Sequence, residues 1–150
     1  ASVNASGSSS NLSTGTFTAK KYLWIQYYVE TTSTVYSINR FNNDTTATYA
    51  WRNSSNGGGD STTASDTAFY PAVSAANGHF CNMFIVNNSA NEKLVISHTV
   101  SQNTAGATAP QRREGTTKWA NTSSQITEMD IDASTGNWGA NSIVKVWGSN

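Results

Sequence analysis

One cysteine, two prolines and only 18 charged side chains among 150 residues set the first bounds on this chain. A lone thiol, Cys81, cannot close an intrachain disulfide, so a scaffold stapled by bridges is excluded. Cys81 lies in the apolar run Phe80 to Val86, and no basic neighbour lowers its pKa. It reads as a buried structural thiol, because free cysteine behaves as a small hydrophobe. Nine Lys plus Arg balance nine Asp plus Glu. No basic stripe is left to hold nucleic acid and no polybasic segment to favour a membrane. No apolar run approaches the roughly 18 residues of a membrane helix. With two histidines and no Cys/His or EF-hand spacing, no metal site is expected. No nucleophile elbow or triad pattern is visible, nor is a signal peptide, and an opening at Ala1 fits either a removed leader or a piece of a longer protein.

What fills the chain instead is 21 Ser, 20 Thr and 17 Asn. The apolar residues come in short bursts of period two, rich in β-branched and aromatic types, which marks half-buried strands. At this length one domain is the default. The Ser/Asn-rich residues 1–15 read as a flexible arm or linker, and 16–150 as a single β-sandwich domain. Strand candidates are Thr16–Lys20, Tyr22–Thr31, Val35–Asn42, Tyr49–Arg52, Thr62–Phe69, Phe80–Asn87, Leu94–Val100, Thr116–Ala120, Ile126–Ile131 and Ser142–Gly148. That is about eight to ten antiparallel strands and no helix, a jelly-roll-like count for two facing sheets. Phe80–Asn87 is apolar on both faces, as a central strand is, whereas Thr62–Phe69, ended by Pro71, reads as an edge.

Tyr22–Thr31 carries the most information. Leu23, Ile25, Tyr27 and Val29 share one face; Tyr22, Trp24, Gln26 and Tyr28 share the other. Three aromatics on the second face call for a cover, so Tyr22, Trp24 and Tyr28 are candidate subunit-interface residues. Arg112 and Arg113 join them, concentrating charge in what reads as a polar loop, Gln102 to Arg113. Trp51, beside a glycine turn, and Trp138, between Asn137 and Gly139, could stack on sugar rings while Asn53 and Asn137 bond the hydroxyls; these four are the candidate glycan-binding residues. Trp119 and Trp147 read as core. Glu128, Asp130 and Asp132 form a carboxylate ladder that could support glycoside cleavage or, since such charges repel unless Lys, Arg or a cation counters them, hold calcium, with a solvated strand face as the plainer reading; Asn42, Asn43, Asp44 and Asp60 are a second, equally weak oxygen-rich set on loops. His98 shares an apolar face with Leu94, Ile96 and Val100, and His79 reads as a loop residue. Six N-glycosylation sequons, at Asn4, Asn11, Asn43, Asn53, Asn87 and Asn121, are close to the roughly four or five that this composition gives by chance.

Several phrases resemble a loosely defined family of β-sandwich domains in virion proteins of tailed phages and environmental viruses: TFTAKKY from Thr16, RFNNDTTATYAWR from Arg40, NSANEKLVISH from Asn88, TAGATAPQRRE from Thr104, KWANTSSQI from Lys118 and the ending IVKVWG from Ile143. Their order spans Thr16 to Gly148. The resemblance implies a non-enzymatic, jelly-roll-like structural domain on the virion surface, as a capsid decoration or a tail-fibre or knob domain. It implies no cofactor and no established catalytic residue. The partners expected are further copies of the chain, in a homo-oligomer for which a trimer is favoured, other virion proteins and host surface glycans. A carbohydrate-binding module is the alternative reading.

Overall fold

The computed structural model describes residues 1–4, 9–31, 33–74, 76–102 and 104–150. Eleven strands form: β1 (Ser2–Asn4), β2 (Asn11–Ser13), β3 (Tyr22–Val29), β4 (Ser37–Phe41), β5 (Tyr49–Ser55), β6 (Ser61–Asp66), β7 (His79–Val86), β8 (Lys93–Ser101), β9 (Gln111–Trp119), β10 (Met129–Ala133) and β11 (Ile143–Ser149). Every pairing is antiparallel. Eight strands make one long sheet in the order β1-β11-β3-β7-β8-β9-β5-β6, and β2-β10-β4 make a short one. The protein is an all-β sandwich, as the alternation requires.

The core lies between the sheets. From the long sheet come Leu23, Ile25, Tyr27 and Val29 of β3, Cys81, Met83 and Ile85 of β7, and Trp119 of β9; from the short one come Leu12, Phe41, Met129 and Ile131. Phe41, Tyr49, Phe69 and Trp119 stack into one aromatic knot, with ring centroids 5.1–6.5 Å apart. Asp44 accepts from Trp119 Nε1 at 2.7 Å and also bonds Thr46 and Thr48. Burial opposes the Asp44 charge, but these bonds outweigh it and hold its pKa below the ordinary value. That carboxylate closes a turn and seats a tryptophan, and is not free to bind an ion.

Several expectations are corrected. Residues 1–15 do not lie outside the sandwich as an arm: β1 pairs with β11, β2 pairs with β10, and Leu12 is buried. Residues 5–8 fall outside the described part. The short β2 is drafted by tertiary pairing, which a Ser/Asn-rich sequence does not advertise. Thr16–Lys20 forms no strand; Phe17 instead packs on the core from a coil. β9 starts five residues earlier than its apolar pattern does, at Gln111, so Arg112 and Arg113 sit on a strand rather than in a loop. β7 is central and β6 is an edge, as their composition indicates.

Both margins of the long sheet are irregular. β1 has three residues, and the pairing of β6 with β5 shifts register between Tyr49 and Trp51, with Ser65 at φ 56°. Gly78, entering β7, has φ 93°, and a Cβ there would stand 2.5 Å from the Val29 carbonyl oxygen. The approach of β7 to the end of β3 therefore needs glycine.

Candidate functional site: the outer face of the long sheet

The side chains that β3, β7 and β8 do not bury share one surface. β3 contributes Tyr22, Trp24 and Tyr28; β7 contributes Phe80, Phe84 and Val86; β8 contributes Leu94, Ile96 and Val100; β11 adds Trp147. Phe84, Leu94 and Ile96 are each more than half exposed, at 54%, 55% and 56%. Single exposed hydrophobes are ordinary, but this many gathered on one sheet face mark an interaction surface. Short strands of period two normally place polar residues outward; here the alternation continues, with apolar residues on both phases.

Register arranges the face into cross-strand rows. Trp147, Trp24, Phe84 and Ile96 lie side by side on β11, β3, β7 and β8. Trp24 stacks on Trp147 (centroids 4.8 Å apart) and on Phe84 (5.9 Å, planes within 7°). The next row is polar: Lys145, Gln26, Asn82, His98 and Glu114. Asn82 Oδ1 accepts from both Trp24 Nε1 and Gln26 Nε2, which fixes the tryptophan ring against the sheet. Beyond this belt lies Ile143, Tyr28, Phe80 and Val100. A groove of about 460 Å³ runs along Tyr22, Phe84, Leu94 and Ile96. Tyr22, Trp24 and Tyr28 thus come together on the surface their alternation assigns to them. His98 does share a face with Leu94, Ile96 and Val100, but that face is the outer one. Trp147, expected in the core, also belongs there. Period two says which residues share a face, and only the second layer decides which face is inside.

The other candidates disperse. Trp138 is fully buried, donates from Nε1 to the Ile131 carbonyl at 2.8 Å and meets the His79 ring edge-on. It cannot be a sugar platform. Asn53 is also buried: its side chain fills the space above Gly115, where a Cβ would meet Asn53 Oδ1 at 2.3 Å, and its Nδ2 donates to the Tyr70 carbonyl at 3.2 Å. Asn137 is exposed, without Trp138 beside it at the surface. Trp51 is half-buried, packs against Tyr70 and bonds Asp66, and lines a cleft of about 320 Å³ with Tyr36, Tyr70 and Arg113. Of the two arginines, Arg112 is exposed and paired with Glu114. Arg113 turns inward, where it donates to Ser55 Oγ and to the carbonyls of Tyr70 and Ala72. It clamps a loop of its own chain and is not available as an outward contact; burial lowers its pKa.

Of the three carboxylates at and just before β10, the two outer ones are engaged, while the buried Asp130 Oδ2 has no hydrogen-bond partner among the described residues. Asp132 accepts from Asn11 Nδ2 and from Arg40 Nη1, each at 2.7 Å, and Glu128 accepts from Ser13 and Asn43. Asp130 is buried, and burial first, then the nearby Glu128 and Asp132 charges, raise its pKa. These bonds tie β2 and β4 to β10. Asp60 pairs with Arg52. No group of three or more potential metal ligands occurs among the described residues. Cys81 is fully buried, which pushes its thiol up to about 11. His79 is no loop residue: it opens β7, is buried, and is lowered to about 4 by that burial.

No helix of the described residues is long and apolar enough to cross a membrane. No family model matches the chain, and no curated protein or solved structure does.

Proposed function

We propose that this chain is a non-enzymatic structural protein of a virion surface, a capsid decoration or a fibre or knob domain, that works by assembly through the outer face of its long sheet. The single observation that carries the assembly part is the aromatic and aliphatic surface on β11, β3, β7 and β8, two apolar zones on either side of one polar row. An isolated domain leaves that surface in water at a cost of about 25 cal/mol per Å² relative to covering it. The virion part is supported by the resemblance of the ordered sequence phrases. Low charge suits both parts, since neutral hydroxyl and amide side chains can pack against neighbours without stripping water from ions.

The expected result is a concentration-dependent assembly by sedimentation equilibrium. Trp24→Ser or Phe84→Ser should weaken it by about 2 kcal/mol or more, the size of a central aromatic contact, with the melting temperature of the dissociated chain little changed. Labelled chain should also bind host-derived particles or particle proteins. A chain that stays monomeric to millimolar concentration and never joins a particle ends this reading.

A second reading, glycan recognition, is favoured by the cleft of Tyr36, Trp51 and Tyr70, whose rings meet edge-on at 5.7 and 5.9 Å. Tyr36 is its exposed aromatic. If the cleft binds saccharides, glycan-array signals should fall at least tenfold in Tyr36→Ala and Trp51→Ala alike; an array without signal removes the reading.

A further inference from the structure

The assembly reading leaves open what covers the outer face. The geometry points to a second copy of this chain, related by a two-fold axis that lies between the two facing sheets and runs close to the direction of β7. The inference rests on that reading and names the occupant of the same surface.

The polar belt carries the argument. It crosses five adjacent strands as Lys145, Gln26, Asn82, His98 and Glu114, with β7 in the middle. A cation stands at one end, and at the other stands the Glu114 carboxylate, which Arg112 of the same strand also contacts. Lys145 belongs to none of the ion pairs among the described residues. A two-fold axis along β7 reverses the order of the strands while keeping each row level. β11 then lies over the partner's β9, β3 over its β8, and β7 over its own counterpart. Lys145 meets the partner's Glu114, and the reverse pair forms at the other end. Gln26 meets the partner's His98, and Asn82 meets its own copy, amide to amide. The row above matches in the same way: Trp24 lies over the partner's Ile96, and Phe84 over the partner's Phe84. On the three inner strands apolar groups meet apolar ones and the belt meets the belt; at the ends Trp147 lies over the partner's Thr116 and Ile143 over the partner's Arg112.

The other in-plane axis, across the strands, stacks Lys145 on Lys145 and Glu114 on Glu114 and is disfavoured by like charge. A two-fold contact is isologous, so every favourable pair off the axis is made twice. Facing sheets pack with strands about 30° apart and about 10 Å between layers. The belt's ends lie roughly 10 Å from the axis at a strand spacing of about 4.8 Å, so this crossing displaces them by about 5 Å, within the reach of a lysine stem. The belt thereby accounts for polar residues in the middle of an apolar surface: it fixes the register and orientation of the partner.

Charge exchange tests this. In sedimentation-velocity titrations of the whole chain, Lys145→Glu and Glu114→Lys should each raise the dimer dissociation constant at least tenfold, because each juxtaposes like charges at two places. An equimolar mixture of the two variants should recover an affinity within about threefold of the unmodified chain, since each pair is then restored. Independently, a bis-maleimide about 10 Å long should join Asn82→Cys chains to one another. Variants without effect, a mixture no tighter than its components, absent cross-linking or a stoichiometry other than two would each overturn the two-fold arrangement while leaving assembly standing. A chain that remains monomeric to millimolar concentration overturns both.

Discussion

Trp138→Ala is expected to cost about 3–5 kcal/mol of folding stability, the range for removing a buried tryptophan, and to leave any saccharide signal unchanged. The side chain is fully enclosed, and its indole N–H serves the Ile131 carbonyl in the middle of β10. Truncation leaves a cavity in the interior and removes the indole donor from the Ile131 carbonyl. A domain of this kind has about 5–15 kcal/mol in all, so the variant loses a large share, equivalent to a fall of about 6–20 °C in melting temperature. Trp138→Phe should lose much less, since it fills most of the volume. Urea denaturation at constant m-value measures both. A Trp138→Ala protein as stable as its parent but blind to glycans would contradict the burial described above.

Lowering the pH from about 6.5 to about 4 should remove on the order of 3 kcal/mol of stability through His79 alone. The imidazole is held neutral in the folded state with a pKa of about 4, against about 6.5 when unfolded. Above the unfolded value both states are neutral and the group contributes no pH dependence. Between the two values the unfolded chain binds the proton and the folded chain does not, so stability falls steadily as pH falls, and below the folded value this loss ends. Asp130 acts oppositely: its raised carboxyl pKa means that protonation favours the folded state over a window beginning just above the ordinary carboxylate value. The comparison with His79→Leu separates the two. Among the described residues neither His79 ring nitrogen has a hydrogen-bond partner, so leucine should be neutral or stabilising at pH 7.5 and should flatten the decline between pH 6.5 and 4.5. Equal slopes for both proteins would contradict the assignment.

Much of this architecture could be read from residue types, and the reasons for the misses are specific. The strands β3, β7 and β8 alternate through burial on one side, so period two located them and correctly grouped Tyr22, Trp24 and Tyr28. Which side is inside depends on where the short sheet lies, and that information is in the pairing of β2 and β4 with β10 rather than in β8 or β11. Hence Trp147, read as core, lies on the outer face, while His98 keeps the strand-mates its alternation gives it. Trp138 follows Asn137 and precedes Gly139, a context that composition reads as a surface turn; it turns back to the Ile131 carbonyl seven residues earlier and meets His79, which is distant in sequence. Asn53 looks like a loop amide, yet the glycine opposite it on β9 makes a slot for its side chain. A small residue at that register position is the one sequence signal for the slot, and it is legible only once β5 and β9 are known to pair.

The untidy margins of the long sheet have a consequence for how matter built from this chain can grow. A straight, fully hydrogen-bonding rim invites further strands and, with them, endless ribbons. Here one rim is a three-residue stub and the other is kinked and clothed in hydroxyls and a carboxylate. Neither rim of the long sheet therefore offers a straight run of free strand to a further chain, and a pair formed as proposed above would leave that sheet no route to ribbon growth.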